Sequence, residues 1–344
     1  MKYASLNNLA LLCALCFLGA NTSRGVDIYV RAEKTSLTLP DGKTVEMWGF
    51  IRDADNNFAT LETTAGYGFQ GRSIEIPPTG AGNTLVIRLF NRLDVPTSVV
   101  IPGQNGYAAA APHATFVDDL GRTRARSFVA ETAPGAVGVY QWNNVAAGTY
   151  LLHSGSHAAL QVQMGLYSPL TRQQSNTSPY PGVQIPASRQ ATLLFSEIAP
   201  DVHDAVQEGN YGPTPVDPAR QMTSTMHSRP RYFLINGVAY SQAAPPPDIV
   251  LGGNRNNPLM LRLLNAGLDA HVPVVGGLPV SAIAEDGALY RYPREQSAVF
   301  LPALKTTDVV LTAPVGARLP VYDRRLGLVN DTQSPGGMLV YVQN

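Results

Sequence analysis

The stretch Asn83-Thr-Leu-Val-Ile-Arg-Leu-Phe-Asn91 has a counterpart about 175 residues further along the chain, Asn257-Pro-Leu-Met-Leu-Arg-Leu-Leu-Asn265. Each copy is an apolar strand pattern with one arginine near its centre and an asparagine at its end. A second strand candidate follows each copy within about ten residues, at 97–101 and at 271–275. Because the spacing equals the length of a whole domain, the pattern predicts two copies of one β-sandwich in tandem.

Short apolar or alternating segments bounded by turn residues continue along the rest of the chain. The further strand candidates are residues 27–31, 138–142, 148–152, 160–164, 191–196, 231–235, 279–283, 298–301, 308–312 and 338–342. Turn-forming pairs such as Pro-Gly, Asn-Gly and Gly-Gly lie between them. The best candidate for a short helix is 200–208. This spacing predicts an all-β fold of antiparallel sandwiches or barrels.

Length and charge limit the organisation of the chain and its partners. The chain has 344 residues, enough for two domains that each bury a core. Residues 168–190 are rich in Pro, Ser, Thr and Gln, which predicts a linker between a first domain at 26–167 and a second at 191–344. The 25 basic residues balance 25 acidic ones, so the sequence argues against nucleic acid and against strong electrostatic binding to anionic membranes.

The first 25 residues have the pattern of a secretion signal. Lys2 supplies a positive start, an apolar run covers residues 9–18, and Gly19-Ala20 are small. The run is too short to span a bilayer by itself, and the alternative is an uncleaved anchor. Cleavage predicts a periplasmic or secreted protein. Both cysteines, Cys13 and Cys16, lie in this segment, so the mature chain has neither a disulfide nor a thiolate metal ligand.

Several segments resemble the multicopper oxidase family. A strand pair of the family's first cupredoxin domain is similar to residues 146–167, which read Ala-Ala-Gly-Thr-Tyr-Leu-Leu-His-Ser-Gly-Ser-His followed by Ala-Ala-Leu-Gln-Val-Gln-Met-Gly-Leu-Tyr. Residues 38–50 are similar to the opening segment of the bacterial members of the family. Residues 271–275, 283–287 and 301–308 resemble the second, plastocyanin-like domain. The resemblance covers nearly the whole mature chain in the right order. It implies two tandem cupredoxin-like Greek-key β-sandwiches, a copper cofactor and an oxidoreductase background.

The motifs that carry the family's chemistry are incomplete. A blue copper site needs one cysteine and two histidines, and the predicted mature chain has no cysteine. The resemblance therefore implies that the C-terminal blue-copper domain is lacking. In the first histidine pair of the trinuclear centre, Val100 and Pro102 stand where the family has histidines. Oxidase turnover by this chain alone is excluded, and whether it acts as an enzyme stays open.

The second histidine pair is present with altered spacing. The family has His-x-His, whereas here His153-Ser-Gly-Ser-His157 places the two residues at i and i+4. On a regular strand both would face one side with Cα atoms about 13 Å apart, too far to share one ion, and a bulge at Gly155 would shorten that distance. The alternatives are shared copper binding by His157 and His153 or two polar histidines at the rim, and His157 is the better candidate.

The remaining histidines and methionines have weaker signals. We expect His113 in a surface loop, His203 on a solvated helix face and His271 satisfied and half-buried at a strand start. The loop Met222-Thr-Ser-Thr-Met-His227 offers thioethers and an imidazole, which suit Cu(I). The alternative is that its methionines pack on a neighbouring domain. The adjacent Glu285 and Asp286 would point to opposite faces of a strand, so they are not an acid–base pair, and Asp286-Gly287 is interpreted as a turn.

Three functional hypotheses follow. The first is a copper-binding, oxidase-related protein whose copper cluster is completed by a partner chain, or by self-association, that supplies a third cupredoxin domain. The second is a metal-free cupredoxin-fold module for binding or assembly. The third is a copper chaperone that uses Met222, Met226 and His227. None of the three requires a nucleic-acid partner or a membrane span.

Overall fold

The computed structural model describes residues 26–62, 66–78, 84–108, 113–127 and 129–344, and the predicted secretion signal lies outside these ranges. The first half of the chain is built mainly of strands and one short helix. Its strands are β1 (Val26–Thr38), β2 (Thr44–Asp53), β3 (Ile74–Ile76), β4 (Leu85–Asn91), β5 (Tyr107–Ala108), β6 (Thr115–Val117), β7 (Thr123–Ala125), β8 (Val137–Trp142), β9 (Gly148–His153) and β10 (Tyr167–Arg172). Helix α1 covers Ala158–Gln163, and a 3₁₀ turn covers Gly68–Gln70.

The second half repeats this composition. Its strands are β11 (Gln190–Ile198), β12 (Tyr232–Ile235), β13 (Tyr240–Ser241), β14 (Ile249–Val250), β15 (Leu259–Asn265), β16 (Pro273–Val275), β17 (Val280–Glu285), β18 (Ala288–Gln296), β19 (Thr306–Leu311), β20 (Arg318–Asp323), β21 (Gly336–Gly337) and β22 (Leu339–Gln343). Helix α2 covers Pro200–Gln207, and 3₁₀ turns cover Ala187–Arg189 and Pro218–Arg220. Among the described residues, no helix is both long and apolar enough to cross a bilayer.

Each half pairs one large sheet with one smaller sheet. The large sheets have the orders β2-β1-β4-β8-β5 and β12-β11-β15-β19-β17-β18, and the smaller ones β3-β10-β9 and β14-β22-β20-β16. In both large sheets the repeated strand, β4 or β15, lies parallel to the first strand of its half and antiparallel to the strand on its other side. The prediction of an all-β fold is confirmed, and the repeated stretches occupy equivalent places.

The repeat extends to the asparagine that ends each copy. Asn91 and Asn265 are fully buried, and each accepts a backbone N–H from two residues ahead. Each amide donates to the carbonyl four residues ahead and to a carbonyl on a distant segment, that of Thr132 or Leu301. These bonds satisfy a polar side chain inside an apolar core, so the asparagine fixes the turn that leaves the strand.

The two repeated strands differ in burial. In β4, buried residues alternate with partly exposed ones, as expected for a strand with one face in a core. In β15 all seven residues are buried. The outer face of β15 is covered by the segment that joins the halves, where Tyr180 and Ile185 pack against Met260. Strand β10 ends at Arg172, so the start of the predicted linker belongs to a strand.

The arginine of the second copy is consequently buried, unlike that of the first. Arg262 is 2% exposed and ion-paired with Asp308 at 3.6 Å. It donates to Thr149 Oγ1 on β9 and to Gln190 Oε1, and Thr149 Oγ1 donates to both Asp308 oxygens at 2.8 Å. Tyr180 also donates to Asp308. This network joins the two halves through side chains that are each satisfied by a partner in the fold.

Three strand predictions need correction. Residues 160–164 lie in and just after α1, so this prediction is wrong. Leu160, Val162 and Met164 alternate with Gln161 and Gln163 as in a strand, but both glutamines are buried and hydrogen-bonded. Segments 97–101 and 298–301 contribute only isolated bridges. The predicted short helix at 200–208 is confirmed as α2.

The buried arginine yields a test of the interface. We expect Arg262→Met to lower the free energy of unfolding by about 3–5 kcal/mol, because Asp308 is left buried without its counter-charge. Arg88→Met is the matched control at the equivalent position of the first copy, where the side chain is 39% exposed and lies 3.9 Å from Asp27. We expect Arg88→Met to lower the free energy of unfolding by less than about 1 kcal/mol. Urea unfolding of both variants measures the difference, and equal losses would contradict a buried interfacial charge.

Candidate metal site

His153 is the last residue of β9 and is held by backbone and side-chain contacts. It forms an antiparallel bridge with Val100, in which Val100 N lies 2.9 Å from the His153 carbonyl oxygen and His153 N lies 3.0 Å from the Val100 carbonyl oxygen. Its ring Nδ1 lies 2.8 Å from the carbonyl oxygen of Ser154, and the residue is 6% exposed. Burial lowers the pKa of His153. Because a carbonyl only accepts, Nδ1 carries the proton and Nε2 keeps its lone pair for a ligand.

His157 lies outside the strand. The chain leaves β9 after His153, and Gly155 packs so closely that a Cβ there would lie 2.7 Å from Val100 Cγ1. His157 has a left-handed backbone with φ 42° and precedes α1. The residue is exposed, and its ring centroid lies 5.8 Å from that of Tyr211. The premise of a regular strand from His153 to His157 is therefore wrong, and the expected separation along such a strand does not apply.

A cluster of buried hydroxyl groups fixes the loop between the two histidines. Gln161 Oε1 accepts hydrogen bonds from Thr97 Oγ1 at 2.8 Å and from Ser154 Oγ at 2.6 Å. Ser156 Oγ donates to Ser98 Oγ at 2.9 Å. The sequence analysis missed this cluster, although the serines beside His153 and the Thr97-Ser98 pair were visible. The hydroxyl groups give a loop of small residues a defined shape because each buried polar atom needs a partner.

The positions of the family's first histidine pair lie beside His153. Val100 is its direct cross-strand partner, so their side chains project from the same face with Cα atoms about 5.5 Å apart. A histidine at position 100 would therefore be a neighbour of His153. Over the described ranges, no group of three or more His, Cys, Asp or Glu side chains converges as a metal site.

The prediction for His203 is wrong. His203 is 1% exposed rather than solvated, and its Nδ1 donates to the Glu46 carbonyl oxygen at 2.7 Å. Its Nε2 lies 3.5 Å from the side-chain nitrogen of Gln163, which donates to it. Burial lowers the pKa of His203. The ring joins α2 of the second half to β2 and α1 of the first half, which is a structural role.

His271 is satisfied within the fold, as expected, but it is fully buried rather than half-buried. Its ring lies between two buried carboxylates, with Nε2 3.0 Å from Glu197 Oε2 and Nδ1 3.1 Å from Asp323 Oδ2. Backbone N–H groups of Leu268 and Val272 also donate to these carboxylates. Burial alone would lower the pKa of His271, but the hydrogen bonds to Asp323 and Glu197 outweigh it and raise the pKa to about 9.

The other candidate residues have distinct environments. Met222 is partly buried against the core of the first half, whereas Met226 is 85% exposed and His227 is exposed. His113 is exposed, in agreement with its prediction. Asp286 and Gly287 both have positive φ and form the two-residue turn between β17 and β18, as in a type I′ hairpin. The interpretation of this pair as a turn is confirmed.

Comparison with known proteins gives the fold class. No protein-family profile matches the chain. The chain has a TM-score of 0.65 to the blue copper oxidase of Nitrosomonas europaea, with 15% identity over 92% of this chain and 85% of that one. The copper nitrite reductase of the same organism gives 0.62, with 14% identity over 93% and 94%. These likenesses show a fold of tandem cupredoxin-like β-sandwiches, as the sequence resemblance implied.

Two further comparisons extend this likeness to another solved structure and to a curated protein. A multicopper oxidase of Pseudomonas thermotolerans has a TM-score of 0.60 and 18% identity, over 93% of this chain and 63% of that one. Copper resistance protein A of Pseudomonas syringae pv. tomato is 26% identical over 256 residues, which are 67% of this chain. The match spans 39% of that relative's length. The chain therefore shares the fold of a solved multicopper oxidase and has low sequence identity to a copper resistance protein.

The His271 environment predicts how stability depends on pH. The pKa of His271 is about 9 in the folded chain against an ordinary value of 6.5, so its contribution is complete below pH 6.5 and disappears as the pH rises through 9. We expect the free energy of unfolding to fall by roughly 3 kcal/mol over this window in urea titrations. His271→Gln should remove the decline. Imidazole NMR resonances of the folded protein provide a direct check, and titration below pH 7 would contradict the assignment.

The bridge between Val100 and His153 predicts a gain of metal binding. Val100→His should create a cross-strand histidine pair and strengthen Cu(II) binding by about tenfold or more, because two imidazoles then reach one ion. Isothermal titration calorimetry measures the gain. Adding His153→Ala in the same background should remove it. If the double variant still binds Cu(II) more tightly than the unmodified protein, the position of residue 100 beside His153 is not the cause of the tighter binding.

Proposed function

We propose that this protein is a secreted, copper-binding protein related to the multicopper oxidases, in which His157 and His153 supply part of a copper centre completed by another chain. The observation that carries the proposal is the bridge between His153 and Val100. It places a histidine with a free Nε2 beside the position where the family's first histidine pair stands. The copper resistance protein relative supports copper as the metal. Secretion rests on the signal pattern of residues 1–25.

The residues of this chain fit one copper ion better than a complete cluster. His153 offers Nε2, and exposed His157 offers a ring that can turn toward an ion. Val100 and Pro102 cannot ligate through their side chains, and the segments after Cys16 contain no cysteine. Copper bound here would supply one-electron redox chemistry. The chain's own contribution is to present imidazole nitrogen on a loop held by buried hydroxyl groups.

Completion of the centre requires a further cupredoxin domain. We propose that it comes from a partner chain or from self-association. The multicopper oxidase of P. thermotolerans and the copper resistance protein are both longer than the part that this chain matches, which supports a further domain in the working protein. Such a domain would bring its own histidines to the face that carries Val100.

A metal-free binding module is the second candidate, and one surface feature favours it. Within the part of the chain that the structure describes, strands β6 and β7 pair only with each other, and all their residues are exposed. Phe116, Val117 and Leu120 are 47%, 68% and 73% exposed on this hairpin. An isolated two-stranded hairpin has little stability of its own, and its apolar side chains suit a protein contact. Such a module would bind its partner without copper.

Metal content distinguishes the two functions. We expect protein purified from its native compartment with copper supplied to contain tightly held copper, and His157→Ala and His153→Ala each to lose it, because each removes one ligand. Tyr292→Ala is the control, since Tyr292 is 75% exposed on β18 of the second half. Elemental analysis per chain is the measurement. Protein without copper in the unmodified form would favour the metal-free module.

A further inference from the structure

A loop of the second half lies against the first half beside His157. Residues 209–228 follow α2, and within them Tyr211 and Met222 are partly buried against the core of the first half. Their neighbours in that contact include Val202 and Val206 of α2. The loop that carries the candidate Cu(I) ligands therefore reaches the region of the candidate copper histidines. The sequence analysis treated these as two separate sites.

Tyr211 connects the two sets of residues. It forms a parallel bridge with Met222, in which Gly212 N donates to the Met222 carbonyl at 2.8 Å and Met222 N donates to the Asn210 carbonyl at 2.9 Å. Paired residues in such a bridge project their side chains from the same face. The His157 ring packs on Tyr211 with centroids 5.8 Å apart. His157 thus contacts the Tyr211 ring, and Met222, from a distant part of the sequence, projects its side chain from the same face as Tyr211.

We propose that His157 and Met222 bind one Cu(I) ion beside Tyr211. A thioether and an imidazole are ligands that suit Cu(I), and two or three soft ligands are enough for this ion. Met226 and His227 lie on the same exposed loop and offer a third ligand or a capture point. The inference rests on the proposed function because it uses His157, and it names the second ligand and the oxidation state of the metal.

The surface beside Met222 gives an ion a route of entry. Met222 lines a surface cavity of about 390 Å³ together with the acidic face of α2, including Asp201, Asp204 and Glu208. Lys43 pairs with Asp204 at 3.2 Å and Arg220 with Glu208 at 2.6 Å. The Oδ1 atom of Asp201 is buried without a hydrogen-bond partner among the described residues. The cavity therefore offers a cation carboxylate oxygens beside Met222, and the basic groups of Lys43, Arg220 and Arg231 balance their charge.

The test is the Cu(I) affinity of the full chain, measured anaerobically by competition with a chromophoric chelator. We expect Met222→Leu and His157→Gln each to weaken Cu(I) binding by about tenfold or more. The double variant should lose less than the product of the single losses, because both residues bind the same ion. Met222→Leu conserves volume and leaves the packing on the first half intact. Met260→Leu, at a fully buried methionine of the second half, is the control and should leave the affinity unchanged.

His153→Ala separates this inference from the proposed function. If Met222→Leu leaves Cu(I) affinity within twofold while His153→Ala weakens it, the Met222 site is overturned and the histidine pair stands. If Met222→Leu and His157→Gln weaken binding while His153→Ala does not, the Met222 site stands and the histidine pair fails. An unmodified protein with no measurable Cu(I) affinity overturns the inference. Circular dichroism spectra of all variants confirm that losses are not caused by unfolding.

Discussion

The burial of one arginine between the two halves determines much of this structure. Arg262 lies on the central strand of the second large sheet, and its charge is satisfied by Asp308 from the neighbouring strand and by Thr149 from the first half. A buried guanidinium without these partners would cost several kcal/mol, and in this placement of the halves each of its three nitrogens has a hydrogen-bond partner. Thr149 belongs to β9, the strand that ends at His153. The same interaction that joins the halves therefore fixes the strand that presents the candidate copper ligand.

The prediction succeeded where local pattern determines structure. The repeated apolar strand with its terminal asparagine is a local signal, and the structure gives both asparagines the same hydrogen bonds. The turn at Asp286-Gly287 is local as well. The predictions failed where contacts with residues distant in sequence determine the structure. Helix α1 has the alternation of a strand, and only the contacts of Gln161 and Gln163 with other segments show why its polar residues face inward. His203 can be buried because the Glu46 carbonyl, far away in sequence, accepts a hydrogen bond from its ring N–H.

For the candidate site as well, the sequence identified local motifs but not the contacts between distant segments. Family resemblance identified His153 and His157, and the sequence alone identified a methionine–histidine loop. Nothing in the spacing could place that loop beside His157, because the contact depends on how α2 and residues 209–228 pack on the first half. Tyr211 carried no signal in the sequence analysis. Its role is visible only when its bridge to Met222 and its ring contact with His157 are seen together.

The ligand chemistry of this chain suits binding of copper better than oxidation by it. A blue copper centre depends on thiolate donation to set its potential, and the chain after the predicted signal offers imidazole and thioether groups instead. Thioether ligands favour Cu(I), the reduced state of the metal. Under the proposed function, Val100 and Pro102 supply no ligands where the resembling family has histidines, so this chain would hold fewer copper ions than a complete cluster. A cupredoxin-like fold with this ligand set would then serve to hold a single reduced ion beside His157.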